Sequence, residues 1–191
     1  EGGTGIRVRR GKWAGMKKTL FWMFVILVVC LITISAYKQL TKKGAKSSRL
    51  ECQKEVVVFE KIYASEKLAE LKNLLANNNI KYSFRVEKSK HMESKLFEFV
   101  DVNKTSEMIL NSFGCENNQT SPLELAVLLY ENDKLDPGKK SDEAKKYAGY
   151  LVFDFSISGV LIYKIQIDFM DMQGKDIEKR VDCALKSVQS L

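Results

Sequence analysis

Hydrophobic and polar positions divide the chain into two unlike parts. Leu20 to Tyr37 are eighteen consecutive uncharged, mostly apolar positions, about 27 Å as a helix and close to the thickness of a hydrocarbon core. The pattern predicts a transmembrane helix over 20–37, after a basic tail at 1–19 and before a basic linker at 38–50 without apolar period. From residue 51 shorter periods take over and predict one α+β domain over 51–191. "EVVVFEKIY" (55–63) is β-branched and aromatic, which suits a strand. Ser65 then caps a helix with Leu68, Leu71, Leu74 and Leu75 on one face, and Asn77-Asn78-Asn79 stops it. "IKYSFRV" alternates, with Ile80, Tyr82, Phe84 and Val86 facing inward.

The middle of the chain reads as a third strand, "KLFEFVDV" (95–102), and a helix from Thr105 through Met108, Ile109 and Phe113 to Gly114. "SPLE" (121–124) has the form of a capping box with Pro122 at the first helical position. It predicts a helix through Leu125, Leu128 and Leu129, ended by "DPG" (136–138). A short charged helix at 141–147 leads to Gly149 and two strands, "YLVFDFS" and "VLIYKIQIDFM". A two-residue Ser158-Gly159 turn sets Phe153 and Phe155 on the face of Ile162 and Lys164. A three-residue Ile157-Ser158-Gly159 loop aligns them with Leu161, Tyr163 and Ile165 and is the expectation. The opposite face, with Asp154, Ser156, Lys164, Gln166 and Asp168, is then wet. A last helix from Asp176 places Ile177, Val181, Ala184, Leu185 and Val188 on one stripe. The expected fold is an antiparallel sheet, βαββα followed by helix, hairpin and helix, with helices on one face.

Residues 55–114, and within them "LKNLLANNNIKYSFRV", resemble the small PII-like, ferredoxin-like domains of prokaryotic signal transduction, in which a leucine-bearing helix leads into an "NNGI-Y" type strand. Asn79 stands where that family usually has Gly. The resemblance implies a bacterial binding or regulatory module, with no fixed catalytic residue to transfer.

Charge refines this picture. Residues 1–49 carry eleven Lys/Arg against Glu1, or +10, and residues 50–191 carry twenty against twenty-three Asp/Glu, or −3. The overall +7 therefore belongs to the flanks of the apolar run, where it suits lipid headgroups, and the domain has no basic excess for nucleic acid. Membrane lipid is the expected partner of residues 20–37 and the flanking Lys/Arg. If the chain starts at Met16, Lys38, Lys42, Lys43, Lys46 and Arg49 outnumber Lys17 and Lys18, and the domain stays in the cytoplasm. With Arg7, Arg9, Arg10 and Lys12 present the flanks balance. Cys52, Cys115 and Cys183 are odd in number and widely spaced, with Cys30 inside the apolar run. They read as reduced, buried thiols, which favours the cytoplasmic side of a single-pass membrane protein.

Catalytic chemistry finds little support. "GIRVRRGK" (5–12) has five residues between its glycines and no Ser or Thr after Lys12, so it is not a phosphate loop. His91 is the only histidine and lies in a polar stretch, where a surface position is its expected place. Asp168 and Asp171 fall on opposite faces of a strand end, and Asn103 and Asn118 open formal glycosylation sequons. No catalytic, cofactor or metal residue is therefore assigned. The expected function is a non-enzymatic, membrane-anchored regulatory module that binds a protein or small ligand. The alternative is an extracytoplasmic envelope-associated binding or assembly protein with the anchor in the opposite orientation.

Overall fold

Residues 22–29, 49–115, 118–139 and 141–191 are described by the computed structural model. Residues 22–29 are helical. Among the described residues no helix is long and apolar enough to cross a membrane. This corrects the expected transmembrane helix over 20–37 and the single-pass, signal-anchor location built on it. The rest of 20–37, with its expected lipid contact, lies outside the described residues, as do the tail at 1–19 and the linker up to residue 48.

The domain that follows runs β1 (Val58–Ile62), α1 (Leu68–Ala76), β2 (Lys81–Glu87), α2 (Leu96–Phe99), α3 (Val102–Ser112), β3 (Leu123–Glu131), β4 (Gly149–Ile157), β5 (Val160–Phe169) and α4 (Ile177–Gln189). Its five strands lie in the order β1-β5-β4-β3-β2. All neighbours are antiparallel except β2 and β3, which are parallel. The α+β class stands, but the sheet is mixed. The parallel pair arises because the chain crosses back through α2 and α3, and a parallel neighbour needs such a connection.

Two elements differ from expectation for identifiable reasons. Over 95–102, Leu96 and Val100 are buried while Glu98 midway between them is exposed, a spacing of four without its middle position that belongs to a helix rather than a strand. Asp101 then caps α3, its carboxylate accepting from Lys104 N at 3.0 Å, so the helix starts ahead of Thr105. Over 121–131, Leu123, Leu125, Val127 and Leu129 are buried and the even positions are half-buried. That period of two makes β3 a strand in place of the expected helix. Ser121 does cap, but in a turn: its hydroxyl donates to Asn79 O at 2.6 Å and accepts from Leu123 N at 3.1 Å. The charged helix expected at 141–147 is a single 3-10 turn at Glu143–Lys145.

The hairpin corrects the loop expectation while keeping most of its outcome. Ser158 and Gly159 form a two-residue turn with φ of 49° and 79°. A bulge beside Phe155/Ser156 shifts the register so that Phe155 still opposes Tyr163, and Phe153 opposes Ile165. Leu161 pairs with Ser156 instead of joining the core face. A Cβ at Gly159 would meet nothing within 4 Å, so only backbone conformation is at stake there. Gly159→Val should cost about 1–2 kcal/mol and Ser158→Gly should be neutral or stabilising by up to about 1 kcal/mol in urea unfolding. A neutral Gly159→Val would show the turn to be wrongly placed.

The inward faces of β3, β4 and β5 pack against Leu71 of α1, Ile109 of α3 and Ile177, Val181, Ala184 and Val188 of α4. Phe113 sits 5.7 Å from Phe153 and 5.9 Å from Phe155 between ring centroids. The stripe expected for α4 holds, except that Leu185 is half-buried and Arg180, Cys183 and Ser187 are also buried. Cys183 is bonded to Cys52, with Cα atoms 5.8 Å apart and a separation of 131 positions in sequence. This corrects the reading of three reduced thiols. The pairing depends on α4 docking beside the first turn of the domain, which no local spacing reveals. Gln53 reinforces the same junction, donating to Ser187 Oγ at 2.8 Å and Glu60 Oε2 at 3.2 Å, while Tyr163 donates to that Glu60 oxygen at 2.6 Å.

Candidate functional site

The face of the sheet turned away from the helices is a grid set by strand register. One row crosses four strands as Glu87, Tyr130, Tyr150 and Asp168. The next holds Arg85, Leu128, Val152, Gln166 and Phe59, and the one beyond it Ser83, Ala126, Asp154, Lys164 and Lys61. In that third row Lys164 pairs with Asp154 at 3.1 Å. Lys81 and Glu124 pair at 3.6 Å one row further on. Phe59 on edge strand β1 and Tyr63 just after it are exposed.

The Glu87–Asp168 row has the most unusual chemistry. Tyr130 and Tyr150 stack with ring centroids 4.6 Å apart and planes 15° apart. Asp168, expected to be wet, is 5% exposed and accepts from Gln166 Nε2 at 3.1 Å. Burial raises its pKa above the ordinary carboxylate value, against the opposing pull of Gln166 and the Lys139 charge. Burial also raises the tyrosine pKa values, and carboxylates add to the effect: Asp133, Glu87 and Asp136 at Tyr130, Asp168 and Glu87 at Tyr150, Asp168 and Glu143 at Tyr147. Gly149 opens β4 without a side chain because a Cβ there would strike the Tyr130 carbonyl oxygen and the Phe169 ring.

Three consecutive residues at the end of β3 organise the loops around this row. Glu131 is fully buried; Oε1 accepts from Lys95 N at 2.8 Å and Leu96 N at 2.9 Å, and Oε2 from Ser89 N at 3.1 Å and Ser89 Oγ at 3.0 Å. Asp133 Oδ2 accepts from Lys90 N at 2.8 Å, His91 N at 2.7 Å and His91 Nδ1 at 2.8 Å. Burial alone would raise both carboxyl pKa values, but these hydrogen bonds prevail, and Asp133 is held at about 2. Between them Asn132 points the other way, donating at 2.9 Å to both Ala144 O and Tyr147 O and accepting from Lys139 Nζ. One tripeptide therefore fastens the 88–96 loop with its carboxylates and the 139–148 loop with its amide.

The residues weighed in the sequence fall apart in space. His91 is half exposed and bound to Asp133, a loop fastening rather than a general base beside a nucleophile. Cys115, the free cysteine among the described residues, is buried, and burial pushes its thiol up to about 12, far from a reactive thiolate. Asp168 lies in the row, whereas Asp171 accepts from Gln173 N at 2.7 Å in the following turn. Asn118 folds back on Thr120, and "GIRVRRGK" lies outside the described residues. Among the described residues no group of three or more His, Cys, Asp or Glu is placed to hold a metal ion. Sequence reasoning missed the row because it took β3 for a helix, which put Tyr130 out of register with Tyr150. The signal available was the recurrence of Leu123, Leu125, Val127 and Leu129 at every second position, diluted by the apolar Ala126 and Leu128 between them. The chain matches no family model, no curated protein and no solved structure.

Proposed function

We propose that the domain is a non-enzymatic binding module that presents the open face of its sheet to a ligand or partner. The observation that carries this reading is the Glu87-Tyr130-Tyr150-Asp168 row, in which stacked phenols and a buried carboxylate converge on the sheet face opposite the domain's helices. Buried carboxylates are costly to maintain, and such groups cluster where a partner supplies compensation. The resemblance of residues 55–114 to PII-like modules supports binding in the same way. The Cys52–Cys183 bond favours the extracytoplasmic alternative, because disulfides persist in oxidising compartments.

A photoreactive residue tests the face. Placed at Leu128, in the row beside Tyr130, it should form a discrete adduct in the producing cells, whether of protein or small-molecule mass. Placed at Glu70 on α1 it should not, and Tyr130→Asp should abolish the Leu128 adduct. Equal labelling at both positions, or none at either, would remove the reading.

A further inference from the structure

The loop at 133–148 brings one of its own side chains to the row. Lys139 Nζ donates to Asn132 Oδ1, and its charge acts on Asp168. Asn132 is buried, and its amide nitrogen is already committed to Ala144 O and Tyr147 O, so its oxygen remains directed at the ammonium. The site therefore already holds an alkylammonium group: a charged nitrogen at an amide oxygen beside the end of Tyr130's strand, on a flexible aliphatic stem. Tyr130 and Tyr150, stacked on each other in the row, supply aromatic surface along it. Such surface favours a cation over a neutral or anionic group.

We infer that the row binds a linear di- or polyamine, with Lys139 as the built-in competitor that a ligand amine displaces; the inference rests on the open-face reading above. The row has a carboxylate at each end, Asp168 on β5 and Glu87 on β2, with the Tyr130–Tyr150 stack between them. Three strand spacings separate the ends, roughly 14 Å. A single ammonium satisfies one end only. An extended polyamine reaches toward both, laying its methylenes on the phenol rings and its charged nitrogens at the carboxylates. Glu87 is exposed and free to swing toward the nearer nitrogen. The fit is to charge and length, and the Lys139 ammonium leaves Asn132 when the ligand enters.

Calorimetric titration of the full chain with spermidine at physiological salt tests this, with magnesium chloride at matched ionic strength as the control. Spermidine should bind saturably to one site, and magnesium should not displace it. Glu87→Gln and Tyr130→Leu should each weaken binding about 5–30-fold, within the range of one cation–carboxylate or cation–π contact. Lys139→Met should tighten it several-fold. Glu87 is exposed, so its variant stays informative even if Tyr130→Leu disturbs packing, and thermal melts of each variant separate lost folding from lost binding. Absence of saturable heat, displacement by magnesium, or a Lys139→Met chain that binds no more tightly would each overturn the inference. Trilysine binding as tightly as spermidine would also overturn it and put a basic peptide in the polyamine's place. Failure of spermidine to bind while the Leu128 adduct persists removes the ligand class alone; loss of both removes the open-face reading as well.

Discussion

A chain carrying Cys52→Ala and Cys183→Ala should unfold in urea with about 3–5 kcal/mol less stability than the parent, the largest single loss expected in the domain. The bond closes a loop of 131 residues, and stabilisation by restriction of the unfolded chain grows with loop length, though slowly. Reduced and alkylated parent protein should fall to the same stability as the double variant, which separates loss of the cross-link from any packing change made by alanine. Cys115→Ala is the internal contrast. It removes a buried sulfur without touching the bond, and its stability should fall with reductant as the parent's does. If reductant leaves the parent's unfolding midpoint unchanged, Cys52 and Cys183 are not joined in solution, and the argument for an oxidising compartment goes with them.

The second large effect belongs to Glu131. Glu131→Ala should cost about 2–4 kcal/mol, because it leaves the amides of Ser89, Lys95 and Leu96 without their acceptor at a fully buried position. Glu131→Gln should cost less, since its remaining oxygen still serves one pair of donors while its amino group faces the other. Hydrogen exchange should localise the damage to residues 89–96, leaving amides of the β4–β5 hairpin protected. The pH dependence follows from the sign of the shifts. Glu131 and Asp133 both titrate below their ordinary values in the folded protein, so their contribution is present above about pH 4 and is lost as pH falls through the folded values, which for Asp133 means toward about pH 2. Glu131→Ala should therefore flatten the acid side of the stability profile. A profile as steep as the parent's would place the responsible carboxylates elsewhere.

How far the fold was legible depends on whether the deciding contact was local. The β1 and β2 strands, the Asn78 stop with its φ of 53°, and the buried stripe of α4 are written in short-range alternation and spacing. The segment 121–131 carries both a helix-start signal at Ser121-Pro122 and a strand period in its leucines. Tertiary placement between β2 and β4 decides for the strand, because an interior strand buries one face whatever its first turn suggests. At 95–102 the deciding partner is Glu131, about 35 residues away, whose carboxylate holds the first amides of α2. The candidate site was the least legible part. Glu87, Tyr130, Tyr150 and Asp168 become neighbours only through three strand pairings, one of them parallel, and no pattern along the chain joins them.

The same cross-link alters how the domain would answer to tension along its backbone. Pulling between residue 49 and Leu191 delivers force to Cys52 almost at once and leaves through Cys183, so the covalent bond carries the load. Residues 53–182, which include all five strands and the Tyr130–Tyr150 stack, lie outside the loaded path. Only the few residues before Cys52 and the last two turns of α4 with the C-terminal residue can be drawn out. A sheet held in this way keeps its open face in register under strain, and its mechanical lifetime is set by thiol chemistry rather than by hydrogen bonds between strands.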